Sequence, residues 1–191
     1  MLVSALEKIE KWLVDNNPTL ANALQPGLDN QEITNKLMNV NFNFPEEFYT
    51  VYNWHNGVGS GIYRWQSCVF PGYGLISLEQ GLDWYHDFLE INKHVEVEIW
   101  RPEWYPIFAF DIKDIYSLIL QDAKTESCPV TRIYTVGENI IAAPSLTKLI
   151  EAIADCYEND IFFSIRKASL IVILIRLLRY SENMGATISL S

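Results

Sequence analysis

Three histidines and three cysteines bound the metal and nucleophilic chemistry open to this chain. His86 and His94, with Asp83 and Glu90, could share part of one helix face. Their gap of eight residues is two helical turns, about 12 Å. Helical zinc sites use histidines one turn apart. The spacing therefore reads as a solvated charged face, and no metal is expected. Cys68, Cys128 and Cys156 are odd in number, widely separated and without a CxxC pair. That argues against a disulfide framework and against zinc, and it fits a reducing compartment. Each cysteine reads as a small buried hydrophobe. His55 with Asp111 or Asp114 could form an acid–base pair, yet no serine or cysteine sits in a recognisable nucleophile elbow. No catalytic residue is expected, and an enzyme using His55 and Asp111 stands as the alternative. The glycines at 57, 59 and 61 look like a phosphate loop. Such a loop must follow a strand and open a helix, so that N–H groups and the helix dipole face the anion. Here the glycines follow a helix and open a strand, so they read as a turn. No cofactor is expected.

The aromatic set is the better lead: Trp54, Trp65, Trp84, Trp100 and Trp104, with Tyr49, Tyr63, Tyr73, Tyr85 and Tyr105. Tryptophan and tyrosine bury large areas at low entropic loss, which suits a core and an interface hot spot alike. Trp54 and Trp84 each follow or precede a core-facing position of a helix, which puts them at that face's edge. They are the candidate partner-binding residues. The formal charge is −10, from 24 acidic and 14 basic side chains. A negative field repels phosphate backbones and excludes nucleic acid as the expected partner, whereas a basic protein would be attracted. The same charge also simply keeps a cytosolic protein soluble.

These residues need elements to position them. With 49% apolar and 13% aromatic residues, the chain can bury a core that offsets the entropy of ordering it. Leu2, Ala5, Leu6, Ile9, Trp12 and Leu13 recur at helical spacing, with Ser4 and Glu7 as a capping box, until Asn16-Asn17-Pro18. Asp29 and Glu32 cap a second helix carrying Ile33, Leu37 and Met38. Pro45 starts a third, whose first turn holds Glu46 and Glu47, where the dipole favours acids. Phe48, Val51, Tyr52 and His55 share its face, and Asn56-Gly57 ends it. Residues 62–70 read as a strand. Ser77 and Gln80 form another capping box, opening a helix with Leu78, Leu82, Tyr85 and Leu89 inward. Runs at 105–110, 115–120 and 130–136 read as strands, followed by a short run at 140–143. Pro144-Ser145 starts a last helix with Leu146, Leu149, Ile150, Ile153 and Tyr157 inward. Short turns force antiparallel pairing. The expectation is an α+β fold: a mainly antiparallel twisted sheet with helices packed against one face.

The order of these signals is similar to a known family. Leu24-Gln25-Pro26-Gly27-Leu28-Asp29 resembles the entry into the second helix of the SUKH superfamily, the Smi/Knr-type domain. Pro45 to Tyr49, leading to Tyr52-Asn53-Trp54-His55-Asn56-Gly57, resembles its helix-and-NG element. Phe70-Pro71 with Leu75-Ile76-Ser77-Leu78-Glu79, and Trp104-Tyr105-Pro106-Ile107 with Asp111, resemble its strand-turn-helix step and central hairpin. Ala143-Pro144-Ser145-Leu146 is similar to its last helix start. One departure is the hairpin turn, Asp111-Ile112-Lys113-Asp114, in place of a Gly- and Asp-rich one. The resemblance implies a non-catalytic protein-binding scaffold: a toxin-immunity protein, or a regulator of signalling or cell-wall synthesis. It brings no catalytic residues with it.

The resemblance spans 1–158, giving a SUKH-like domain at 1–160 and a C-terminal extension at 161–191. Residues 170–178 are apolar except for Arg176, flanked by Arg166, Lys167 and Arg179. A spanning helix needs about 20 apolar residues. The extension is therefore expected to dock on the domain as a helix with a frayed end. A peripheral membrane role for 166–180 is the alternative. The N-terminus shows no basic n-region and apolar h-region, so a cytoplasmic protein is expected.

Overall fold

The computed structural model describes residues 1–59, 68–134, 139–159 and 161. Of the strand expected at 62–70, residues 62–67, with Tyr63 and Trp65, lie outside these residues, as does the extension beyond Ile161. Residues 68–70 are not in a strand, because the chain turns back at Pro71-Gly72 and Phe70 makes only an isolated antiparallel bridge to Tyr73.

Helix α1 (Leu2–Asn16) buries Ala5, Leu6, Ile9 and Leu13. Its N-cap is Met1, with no side-chain cap bond. Ser4 is thus inside the helix and makes no capping box, because Leu2 is drawn in to pack against the core. Asn17 closes α1 and caps a short α2 (Pro18–Ala21), which has proline at its start. Strand β1 (Leu24–Pro26) leads to α3 (Asn30–Lys36), where the expected capping box forms: Asp29 accepts from the Glu32 N–H while Glu32 accepts from that of Asp29. A 3₁₀ turn (Leu37–Asn39) follows. It buries Leu37 but leaves Met38 76% exposed, so Met38 is not on the core side.

Helix α4 (Glu46–Trp54) buries Phe48, Val51 and Tyr52 completely. Pro45 precedes it as an extended N-cap rather than its first helical residue. The helix ends one residue early. His55 adopts extended geometry and opens β2 (His55–Val58), which pairs antiparallel with β1. His55 is therefore not the end of a helix face, because strand pairing outcompetes another helical turn. Gly57 has φ of 77°, and a Cβ there would lie 2.4 Å from the Ser77 nitrogen. Asn-Gly here seats β2 against the start of a later helix instead of stopping α4. Gly27 permits a still closer approach, its built Cβ lying 1.8 Å from the Asn53 carbonyl oxygen.

Strand β3 (Gly74–Leu75) and α5 (Leu78–Asn92) are joined through Ser77, whose hydroxyl accepts from the Gln80 N–H at 3.1 Å. Ser77 thus caps the helix by this one bond and not by the reciprocal pair seen at Asp29 and Glu32. Then come β4 (Trp104–Asp111), β5 (Asp114–Ile119), β6 (Val130–Tyr134) and β7 (Ile140–Ala143). The chain turns into α6 (Leu146–Glu158), capped by Ser145. The strands form one five-stranded sheet in the order β3-β4-β5-β6-β7, each neighbour antiparallel. The fold is α+β, as expected.

Side chains alternate across a strand, and the register assigns the two faces. Tyr105, Phe108, Tyr116, Leu118 and Val130 point to the helices and join the main core. Trp104, Ala109 and Ile115 point the other way and form a second cluster with Trp100. Helices thus cover one face, and a smaller aromatic group covers part of the other.

Two polar knots hold the layers. Glu47 is only 4% exposed. Its carboxylate accepts from the N–H groups of Cys128 (2.9 Å), Leu146 (3.1 Å) and Thr147 (2.8 Å), and from the Thr147 hydroxyl (2.8 Å). A side chain of α4 thereby satisfies the start of α6, where helix N–H groups lack internal partners. The second knot is Asp114. It receives Arg132 through two bonds of 2.8 and 2.7 Å and the Tyr73 hydroxyl at 2.8 Å. Burial, foremost, keeps Tyr73 protonated far above the usual tyrosine range.

Candidate protein-binding surface

The outer aromatic cluster grows from α5. Leu78, Gly81 and Tyr85 of that helix face inward. Trp84 and Phe88, one turn apart, pack against the second cluster. Phe88 stacks on Trp100 with centroids 4.4 Å apart, and Trp100 meets Trp104 edge-on at 5.8 Å. The Trp100 indole N–H donates to the Trp104 carbonyl at 3.1 Å. Arg101 lies over the Trp104 ring.

Asn92, the last residue of α5, closes the loop that follows. Its side-chain oxygen accepts from the N–H groups of Ile99 (3.0 Å) and Trp100 (3.2 Å), and its amide donates to the Trp100 carbonyl. Residues 93–99 between these anchors are all exposed. Val95, Val97 and Ile99 are 43%, 73% and 48% exposed, and Ile91 just before them 42%. Glu96 and Glu98 alternate with them, and among the described residues neither has an ion-pair partner. Exposed aliphatic side chains close together in one loop are characteristic of contact surfaces, and this loop runs into the aromatic cluster at Trp100. The signal in the sequence was the Val-Glu-Val-Glu-Ile alternation at 95–99, to which the helix and strand patterns assigned no element.

The two tryptophans singled out in the sequence part company here. Both are half-buried. Trp54 packs against the main core, its indole N–H donates to Glu10 at 3.0 Å, and its ring lies against His55. Trp84 belongs to the outer cluster, and its indole N–H has no partner among the described residues. His55 takes its partners from β1 and α1: the Gln25 carbonyl is 2.8 Å from Nδ1, and Glu10 is 3.7 Å from Nε2. Asp111 instead sits at the β4–β5 hairpin, accepting from the Lys113 N–H. Asp114, the other acid proposed for His55, is engaged by Arg132 and Tyr73.

Other groups that could do chemistry are placed as follows. His86 and His94 are exposed, and His94 lies 3.5 Å from Glu90. Among the described residues no three His, Cys, Asp or Glu side chains gather as a metal site. Burial pushes the Cys128 thiol up to about 12 and the Cys156 thiol to about 11. An open groove of about 780 Å³ between α3 and α4 is lined mainly by amides, hydroxyls and apolar groups, including Asn30, Thr34, Met38, Tyr49 and Asn53. Among the described residues no helix is long and apolar enough to cross a membrane.

Against known families, the SMI1 / KNR4 family (SUKH-1) matches residues 27–152. The chain belongs to this family. A comparison with curated proteins finds no match. The SUKH-1 match runs from Gly27, at the loop against α4, to the second turn of α6, so it includes α4, the whole five-stranded sheet and the loop at 93–99. The expectation drawn from the ordered motifs therefore holds at the level of family and fold.

Proposed function

We propose that this SUKH-1 protein is a non-catalytic recognition module, acting in the cytoplasm as an immunity protein or a regulator, and that it binds a basic protein partner. The observation that carries the reading is the loop at 93–99. Exposed Val95, Val97 and Ile99 alternate with Glu96 and Glu98, which have no ion-pair partner among the described residues. Asn92 ties this segment to Trp100, which belongs to the aromatic cluster that Trp84 packs against. Apolar side chains and the tryptophan would supply affinity by leaving water, while the carboxylates steer a cationic surface and set its register. The net charge of −10 extends that field over the protein. Neutralising a toxin and holding a signalling or cell-wall enzyme make the same demand on such a surface, and the partner's identity separates them.

The test is capture from the native host by the wild-type protein, identification by mass spectrometry, and affinity measurement with the purified partner. Trp84→Ala should weaken binding by about 1–4 kcal/mol, and higher salt should slow association. Trp54→Ala should have the smaller effect on binding, since its indole is already held by Glu10. A partner whose affinity is indifferent to Trp84, Val97 and Glu98 substitutions removes this surface from consideration.

A further inference from the structure

The chain contains a segment with the chemistry this surface would select. Residues 161–191 hold Arg166, Lys167, Arg176 and Arg179 against one acid, Glu182. They therefore carry a net +3, which leaves −13 on residues 1–160 out of −10 for the whole chain. Between those bases run the apolar residues 170–178, interrupted only by Arg176. The exposed segment at 91–99 is complementary on both counts: four aliphatic side chains at 42–73% exposure, and two carboxylates, Glu96 and Glu98, without ion-pair partners among the described residues. The connection's reach is comparable to the breadth of the domain. Ile161 packs against the main core, and the nine residues to Leu170 can span up to about 30 Å when extended. A domain of this size has a radius of gyration of about 15 Å.

We propose that residues 170–180 dock in cis on the surface formed by loop 91–99 and the adjoining Trp84–Trp100 aromatic cluster, so that the chain supplies its own basic, apolar ligand. Resting on the reading of this surface as the partner site, the proposal makes the extension a competitor that a partner must displace. Apparent affinity then falls by the fraction of molecules whose surface is free. Neutralising the extension's bases would raise that fraction and strengthen partner binding. A partner therefore has to be more basic, or more apolar, than the extension itself.

The experiment uses the full chain with Cys68→Ser to remove the half-buried thiol. Val97→Cys is paired with Leu174→Cys, and in a second protein Val3→Cys, on the exposed side of α1, is paired with the same Leu174→Cys. Under mild oxidation at low micromolar concentration, docking raises the effective concentration at position 97. The 97–174 disulfide should form about tenfold faster than the 3–174 one. Adding Arg176→Glu and Arg179→Glu, or molar salt, should remove most of that advantage. Equal rates for the two pairs overturn the proposal. So does a 97–174 bond found only between chains, which assigns the surface to a second copy. Flotation of the full chain with phosphatidylserine–phosphatidylcholine vesicles, together with equal rates, assigns the segment to lipid and overturns it too. The rate ratio is read with no partner present, so its failure leaves the partner site standing. A partner insensitive to Trp84→Ala removes the partner site without changing the rates.

Discussion

Replacing Glu47 tests how the helical layer is joined to the end of the sheet. Its carboxylate, 4% exposed, accepts from three backbone N–H groups and one hydroxyl at 2.8–3.1 Å, in two segments 81 and 99 or more residues away. Glu47→Ala leaves those donors facing an apolar gap. A buried donor without a partner costs about 1–3 kcal/mol. Water entering the space vacated by the side chain would satisfy part of the set, so about 3–5 kcal/mol of destabilisation is expected in all. Glu46→Ala is the matched control, because Glu46 is exposed in the same first turn. It should cost only the dipole interaction of about 0.3–1 kcal/mol. Urea unfolding followed by tryptophan fluorescence reads both. With a slope near 2 kcal/mol/M, Glu47→Ala should lower the midpoint by about 1.5–2.5 M and Glu46→Ala by under about 0.5 M. Equal shifts for the two variants at unchanged slope would refute the reasoning, because the two glutamates would then act only through the helix dipole. Glu47→Gln should fall between them. It keeps one acceptor but turns an N–H donor toward groups that are themselves donors.

Three further expectations concern pH, thiols and the loop. At Glu79 burial opposes the charge, but the bonds from Lys36 and Asn56 outweigh it and hold the carboxyl below the usual glutamate range. Its contribution is therefore present above the unfolded value near pH 4.3 and is lost as pH falls through the lower folded value. Because the pair is half exposed and screened by solvent, the contribution is at most about 1 kcal/mol. Melting from pH 6 to pH 3 should show a steeper decline in the wild type than in Glu79→Gln, and parallel curves would count against the assignment. Cys128 and Cys156, pushed up to about 12 and about 11 by burial, should resist iodoacetamide in the native protein at pH 8 and react once it is unfolded. Rapid native labelling of either would reopen a nucleophilic role. Asn92→Ala removes all three bonds that close the loop. It should weaken partner binding by about 1–2 kcal/mol through the entropy of reordering the loop and raise amide exchange at 93–100. Unchanged exchange would show that the side chain is not the clasp.

Local signals made much of this protein legible without a structure. The caps at Asp29, Ser77 and Ser145 are readable because each satisfies an N–H three residues away, a relation the chain sets by itself. The β4–β5 hairpin is readable because a two-residue turn leaves antiparallel pairing as the only choice. Together with the buried aliphatic spacing of α1 and α6, these were enough for the α+β class and for family membership. What failed locally did so because distant contacts carried more energy. Ser4 lost its capping role to the packing of Leu2, and His55 left its helix because β1 offered a strand partner. Glu46 and Glu47 are indistinguishable as adjacent acids in a first turn. Only the approach of Cys128 and Thr147 makes one a surface charge and the other a buried clamp. Trp54 and Trp84 were likewise equivalent by position. Glu10, 44 residues before Trp54, engages one indole, while the other packs into an outer cluster whose Trp100 ends the loop closed by Asn92. Spacing along a helix can say which side chains share a face, but not what arrives to cover that face, and that arrival is decided by the packing of the whole chain.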